Sequence, residues 1–195
     1  MRFAKLSVAL VCLVSAIACG NSKALADAAL KTATDAYGPV SADAQKYVPD
    51  QAKSVQDAIA AAQAASAKGD YAAALEQAKG IPARVTDLSA AITAKKAELT
   101  KTWTDISASV PSLMSALKSR VDMLSKSKGV PAGLTKDIVD QAKSGFAAAN
   151  QEWTDATVAA QSGDFATAAA KGSDVKTKVV SIMTSLKMQI PKGAM

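Results

Sequence analysis

The side chains able to do chemistry in this chain form a short inventory: two cysteines, three tyrosines, 17 acids, 23 lysines and arginines, and no histidine. Without an imidazole, Ser-His-Asp and Cys-His relays are excluded. So is nearly all zinc, copper and haem ligation, which rests on His and Cys. Carboxylates remain, and the acids nearest to large aromatics are Asp105, Glu152 and Asp155, beside Trp103 and Trp153. An enzyme built on such acids surrounds them with aromatic and polar groups that grip a substrate. With aromatics at 4% of the chain, those are scarce. The reading is a non-enzymatic protein, with no catalytic residue, no cofactor and no metal ligand assigned.

One of the two thiols stands in a telling place. Arg2 and Lys5 open the chain, Leu6 to Ala18 form a largely apolar stretch, and Ala16-Ile17-Ala18 precedes Cys19. A permanent membrane helix needs roughly 20 apolar residues, and this stretch is shorter. It has the length and flanks of a removable signal peptide. Ala16-Ile17-Ala18-Cys19 resembles the lipobox of bacterial lipoproteins, with Ala16 where leucine is commonest. The resemblance implies cleavage before Cys19 and diacylglycerol on its sulfur. Gly20 rather than Asp follows it, which in Gram-negative lipoproteins implies the outer membrane, with the body in the periplasm. Thioether- and amide-linked chains together suffice for stable anchoring. The same small residues also satisfy an ordinary secretory cleavage site. The expected organisation is a signal peptide at 1–18, a lipidated tether at 19–22 and a single helical domain at 23–195. Cys12 leaves with the signal, so no disulfide can form within one mature chain.

The net charge of +6 loses two with Arg2 and Lys5, leaving +4. That modest excess, with no basic-aromatic interleaving, gives no nucleic-acid signature.

The elements that must carry these residues read as helices. Alanine makes up about a fifth of residues 19–195, with Lys, Gln, Leu and Met prominent, a composition that favours helix. Gly38-Pro39, Gly69, Gly129-Val130-Pro131 and Gly163 read as helix ends followed by restarts. Steps of three and four give a stripe through Ala74, Ala78, Ile81, Val85, Leu88 and Ile92, continuing through Leu99, Trp103, Ile106 and Val110. A second stripe runs through Ala168, Gly172, Val175, Val179, Ile182, Leu186 and Ile190. Ile138, Ala142, Gly145 or Phe146, Ala149, Trp153, Ala156 and Ala160 make its partner. Small residues on facing stripes allow helices to approach closely. The fold class expected is all-α, an elongated antiparallel helical bundle built from two duplicated hairpins with a linking helix.

The duplication rests on two matches in the same order. Asp50-Gln51-Ala52-Lys53-Ser54 returns as Asp140-Gln141-Ala142-Lys143-Ser144, and Gly69-Asp70-Tyr71-Ala72 as Gly163-Asp164-Phe165-Ala166. The copies span about 50–92 and 140–186. Their offsets of 90 and 94 differ by about one helical turn, an insertion that keeps a helix face nearly in register. In each turn, Gly69 or Gly163 closes a helix in the left-handed region. Asp70 or Asp164 caps the next helix, and Tyr71 or Phe165 is expected to enter the hairpin interior. These residues resemble the Gly-Asp-Tyr junction of tetratricopeptide repeats. The spacing is far from the roughly 34 residues of such arrays, so the resemblance implies shared turn chemistry and not an array.

Pro49, Pro82 and Pro111 should interrupt helices. Pro49 and Pro82 align with Val139 and Lys176, so the second copy should run straighter. Val110 before Pro111 is biased out of the helical region, which predicts a break there and a separate linking helix from Pro111 to Lys128. Residues 23–37 should form a short amphipathic helix near the anchor.

Three groups are candidate sites. Trp103-Thr104-Asp105 recurs as Trp153-Thr154-Asp155, and reads first as two core anchors and second as an aromatic recognition site. Lys118, Arg120, Lys126, Lys128 and Lys136 surround the 129–133 loop. They can meet anionic headgroups, lipopolysaccharide phosphates or an acidic partner, although lysines also suit helix ends. Met114, Met123, Met183 and Met188 read as core before pliable surface. The leading functional reading is a lipid-anchored interaction or scaffold module that meets another envelope protein. The alternative is a carrier holding a small apolar ligand or lipid within the bundle.

Overall fold

In the computed structural model, the backbone is described for residues 6–127 and 129–191, and side chains from Ser22 onward. Cys19 and the segment read as a signal peptide therefore lie outside the described side chains, and Lys128 outside the described residues. The described residues form an all-α helical bundle: α1 (Leu6–Tyr37), a 3-10 turn (Gly38–Val40), α2 (Ser41–Tyr47), α3 (Pro49–Ala67), α4 (Tyr71–Lys79), α5 (Ile81–Lys126), α6 (Lys136–Gln161) and α7 (Phe165–Ser185). None of these helices, over the described residues, is long and apolar enough to cross a membrane. The chain divides into two compact units, 1–95 and 96–195, each holding one of the two segments read from sequence as copies.

The boundaries follow local chemistry. Val48 leaves the helical region (φ −143°, ψ 59°) and Pro49 starts α3, where its missing donor is not needed. Pro82 likewise sits in the first turn of α5, just after Gly80 ends α4. In the second copy α7 passes through Lys176 unbroken, and α6 through Val139.

The two Gly-Asp turns are built identically. Gly69 and Gly163 both have φ 80°. The Asp70 amide donates to the Ala65 carbonyl and that of Gly69 to Ser66, matched by Asp164 to Ala159 and Gly163 to Ala160. This bond pair is the Schellman closure of a helix. Asp70 then accepts from the Ala73 amide and Asp164 from that of Thr167, both at 3.1 Å. Tyr71 and Phe165 depart from expectation. They stay half-buried, outside both apolar clusters, because a residue at the helix start has packed chain on one side only. The first stripe positions to be covered completely are Ala74 and Ala168.

In the first unit, α1 packs on α3 and α4, α3 on α4, and α2 on α3. Ala33, Ala52, Val55, Ile59, Ile81, Val85, Leu88 and Ile92 form its core. Tyr37 is buried among them, and its hydroxyl accepts from Gln56 Nε2 at 2.9 Å. In the second unit α6 and α7 form a close antiparallel hairpin, and α5 covers its seam with Ile106, Val110, Leu113, Met114, Leu117, Val121 and Leu124.

Pro111 does not break the chain. It lies inside α5, so the expected linking helix is the end of a 46-residue helix. A proline there costs about 3 kcal/mol and frees one carbonyl. Val110, Leu113, Met114 and Leu117 are buried on both sides of it, and each such side chain contributes about 1.5–3 kcal/mol, which outweighs the local penalty. Nearby, the Ser109 and Ser112 hydroxyls donate to the carbonyls of Asp105 and Ser109.

Packing is close at Gly172, where an added Cβ would lie 2.8 Å from Ile106 Cγ2 and 3.2 Å from Trp103 Cζ3. Gly172→Ala should therefore lower stability by about 1–3 kcal/mol. Gly80, helical in backbone and with open space around its missing Cβ, is the counterpart. Gly80→Ala should raise stability by about 0.4–1 kcal/mol. Urea unfolding of both variants checks the pair, and an opposite sign in either would show that the seam is packed differently.

Candidate functional site

The first unit carries an open groove of about 510 Å³ between α3 and α5. Apolar residues make its floor: Val55 on α3, Leu88 and Ala91 on α5. Polar and charged residues make its walls. Arg84 and Asp87 stand one turn apart on α5, facing Gln51 and Ser54 of α3. Side chains three apart on a helix are neighbours and opposite charges there usually join. Arg84 and Asp87 make no ion pair with each other or with any other described residue. The groove thus offers a guanidinium, a carboxylate, an amide and a hydroxyl around an apolar floor.

Sequence reasoning missed this group. The signal available was the position of Arg84 and Asp87 beside Val85 and Leu88, at the edge of the buried stripe. What could not be read is which part of α3 lies opposite, since Gln51 and Arg84 are far apart in sequence.

The two tryptophans come together. Trp103 of α5 and Trp153 of α6 stack with centroids 5.3 Å apart and ring planes at 25°. Both are half-buried and pack against the second unit's core, and Trp103 also lies over Gly172 of α7. Such a pair contributes about 0.5–1.5 kcal/mol beyond its buried area, and here it joins three helices. The three acids near the indoles are each engaged by a lysine: Asp105 by Lys101 at 2.8 Å, Asp155 by Lys171 at 3.1 Å, and Glu152 by Lys178. The last two pairs tie α6 to α7. Among the described residues, no cluster of three or more Asp, Glu or Cys could hold a metal ion.

The basic residues named from sequence are only partly grouped. Lys118 bonds Asp122 at 2.6 Å, and Lys136 faces Asp140 at 3.9 Å. Arg120 is half-buried, with its Nη1 4.0 Å from Met123 Sδ and its Nε buried without a partner. Lys126 ends α5 exposed. Lys187, unremarked in the sequence, joins this end, because its ammonium lies against Gly133 in the α5–α6 loop. Of the methionines, Met114 and Met183 are buried, Met188 is half-buried and packs on the core, and Met123 is 61% exposed.

Electrostatics at the α6–α7 seam is testable. The Lys171 ammonium, with help from the Gln151 amide, holds the Asp155 carboxyl below its usual range. The folded state therefore favours the charged carboxylate. That contribution is full above the ordinary carboxylate pKa and fades as pH falls through the lowered one. Asp155→Asn should unfold more easily than the parent near neutrality, and the gap should narrow as the solution is acidified. Thermal melts across that range check this, and a gap independent of pH would contradict it.

No family model, curated protein or solved structure matches this chain.

Proposed function

We propose that this chain is a non-enzymatic helical interaction module. It is tethered by lipid on Cys19 to a bacterial envelope membrane, the outer one facing the periplasm, and receives a segment of another envelope protein. The observation that carries the reading is the α3–α5 groove, where Arg84 and Asp87 stand unpaired beside Gln51 and Ser54 over an apolar floor. A partner segment bearing one acid and one base would satisfy both charges, and electrostatic pairing of that kind gives specificity and orientation more than raw affinity. The lipobox-like run before Cys19 supports the tether.

The carrier alternative, an apolar ligand inside the bundle, is weaker. The seams it would occupy are closed by side chains with almost no exposure, among them Ala33, Ala62 and Ala74 in the first unit and Ala149, Ala156 and Ala168 in the second.

A photoreactive residue placed at Gln51 or Ala91 in living cells tests the proposal. A discrete protein adduct is expected there, and none from Asp57, which is exposed on α3 and engaged by Lys53 at 2.8 Å. Arg84→Ala with Asp87→Ala should abolish the adduct while shifting stability by no more than about 0.5 kcal/mol, as for surface changes generally. Equal labelling from all three positions, or none from any, would sink the groove as the binding site.

A further inference from the structure

The end of the second unit formed by the close of α5, the loop 129–135 and the described residues after α7 combines two features. It exposes large apolar side chains: Met123 is 61% and Val130 44% exposed. It also holds cations that sit outside any ion pair, with Lys126 feeling the Asp122 carboxylate only through space. Among the described residues Arg120, Lys126 and Lys187 take part in no ion pair. The acids nearby are largely engaged, Asp122 by Lys118 and Asp140 by Lys143 at 3.4 Å and Lys136 at 3.9 Å, which leaves Asp137 in the first turn of α6.

Lys187 strengthens the case. It has φ 54°, and its amide donates to Thr184 while that of Met188 donates to Met183. It thus closes α7 at the position that Gly69 and Gly163 occupy in the other two turns. A lysine is strained in this left-handed conformation, where glycine is not. Strain of this kind is held at positions where the side chain has a task. The side chain here carries its ammonium to Gly133, beside the exposed loop.

We infer that this end is a contact surface for an anionic lipid membrane. Met123 and Val130 enter the headgroup boundary while Arg120, Lys126 and Lys187 meet lipid phosphates. Each basic residue near such a surface strengthens partitioning about fivefold. The inference rests on this end alone and stands or falls independently of the α3–α5 groove.

Hydrogen exchange of the full chain on liposomes tests it, because exchange is read at the loop whatever else holds the chain to the bilayer. On vesicles containing phosphatidylglycerol, the amides from Gly129 to Leu134 (proline excepted) should exchange several-fold more slowly than on pure phosphatidylcholine. Lys126→Gln, at an exposed position, should lose part of that protection. Adding Arg120→Gln and Lys187→Gln should remove it, with the thermal unfolding curve unchanged as the check on folding. Equal exchange on both vesicle types, or protection that survives the triple variant, would overturn the inference.

Discussion

Close helix approach through small residues is the constraint on which the rest of this structure depends. Ala142, Ala149 and Ala156 of α6 and Ala168 and Ala169 of α7 are all buried, and buried Gly172 of α7 lets Ile106 and Trp103 of α5 lie against its backbone. Small side chains bury little apolar area, so a seam made of them gains most from backbones lying close and from dispersion across many contacts. The large side chains that a core needs must then come from a third helix. In the second unit α5 supplies them as Ile106, Val110, Leu113 and Leu117, and its earlier turns supply Ile81, Val85, Leu88 and Ile92 to the first. This division explains why α5 stays continuous through Pro111. An interruption there would loosen the buried residues on either side of it.

The same constraint moves the polar groups to the edges of the buried faces. Every core position of either cluster is apolar, and tyrosine 37 reaches out of its cluster to Gln56 for a hydrogen bond. Polar contacts are therefore made by residues beside the buried faces: Arg84 and Asp87 stand at the groove, Asp155 and Glu152 pair across the α6–α7 seam, and Lys187 lies at the end of α7. The first pair is uncommitted, the second pair is engaged in holding two helices together, and the lysine is held under backbone strain. On the account proposed here, a lipid tether at Cys19 supplies the address and these flanking residues supply the contacts.

Much of this was legible in the chain. The stripes through Ala74 to Val110 and Ala168 to Leu186 are buried nearly position by position, since a period near 3.6 reports directly on one helix face. The Gly-Asp turns were readable because their chemistry is local: one left-handed glycine, one capping carboxylate. Pro111 misled for the converse reason. The bias against a helical residue before proline is also local, and tertiary burial around Val110 overrode it. Tyr71 and Phe165 had stripe spacing, but spacing does not tell that a helix end lacks neighbours on one side. The groove was beyond reach because it needs the register of α3 against α5. Lys187 was hidden because nothing in its sequence neighbourhood marks it as the residue that closes α7.

Native mass spectrometry of the full-length protein, extracted gently in detergent from the membranes of the cells that make it, addresses the central claim most directly. The account predicts a chain beginning at a diacylated Cys19 and bound to a second protein. A chain without acyl mass at Cys19, or a lipidated monomer carrying only a small apolar molecule, would contradict it.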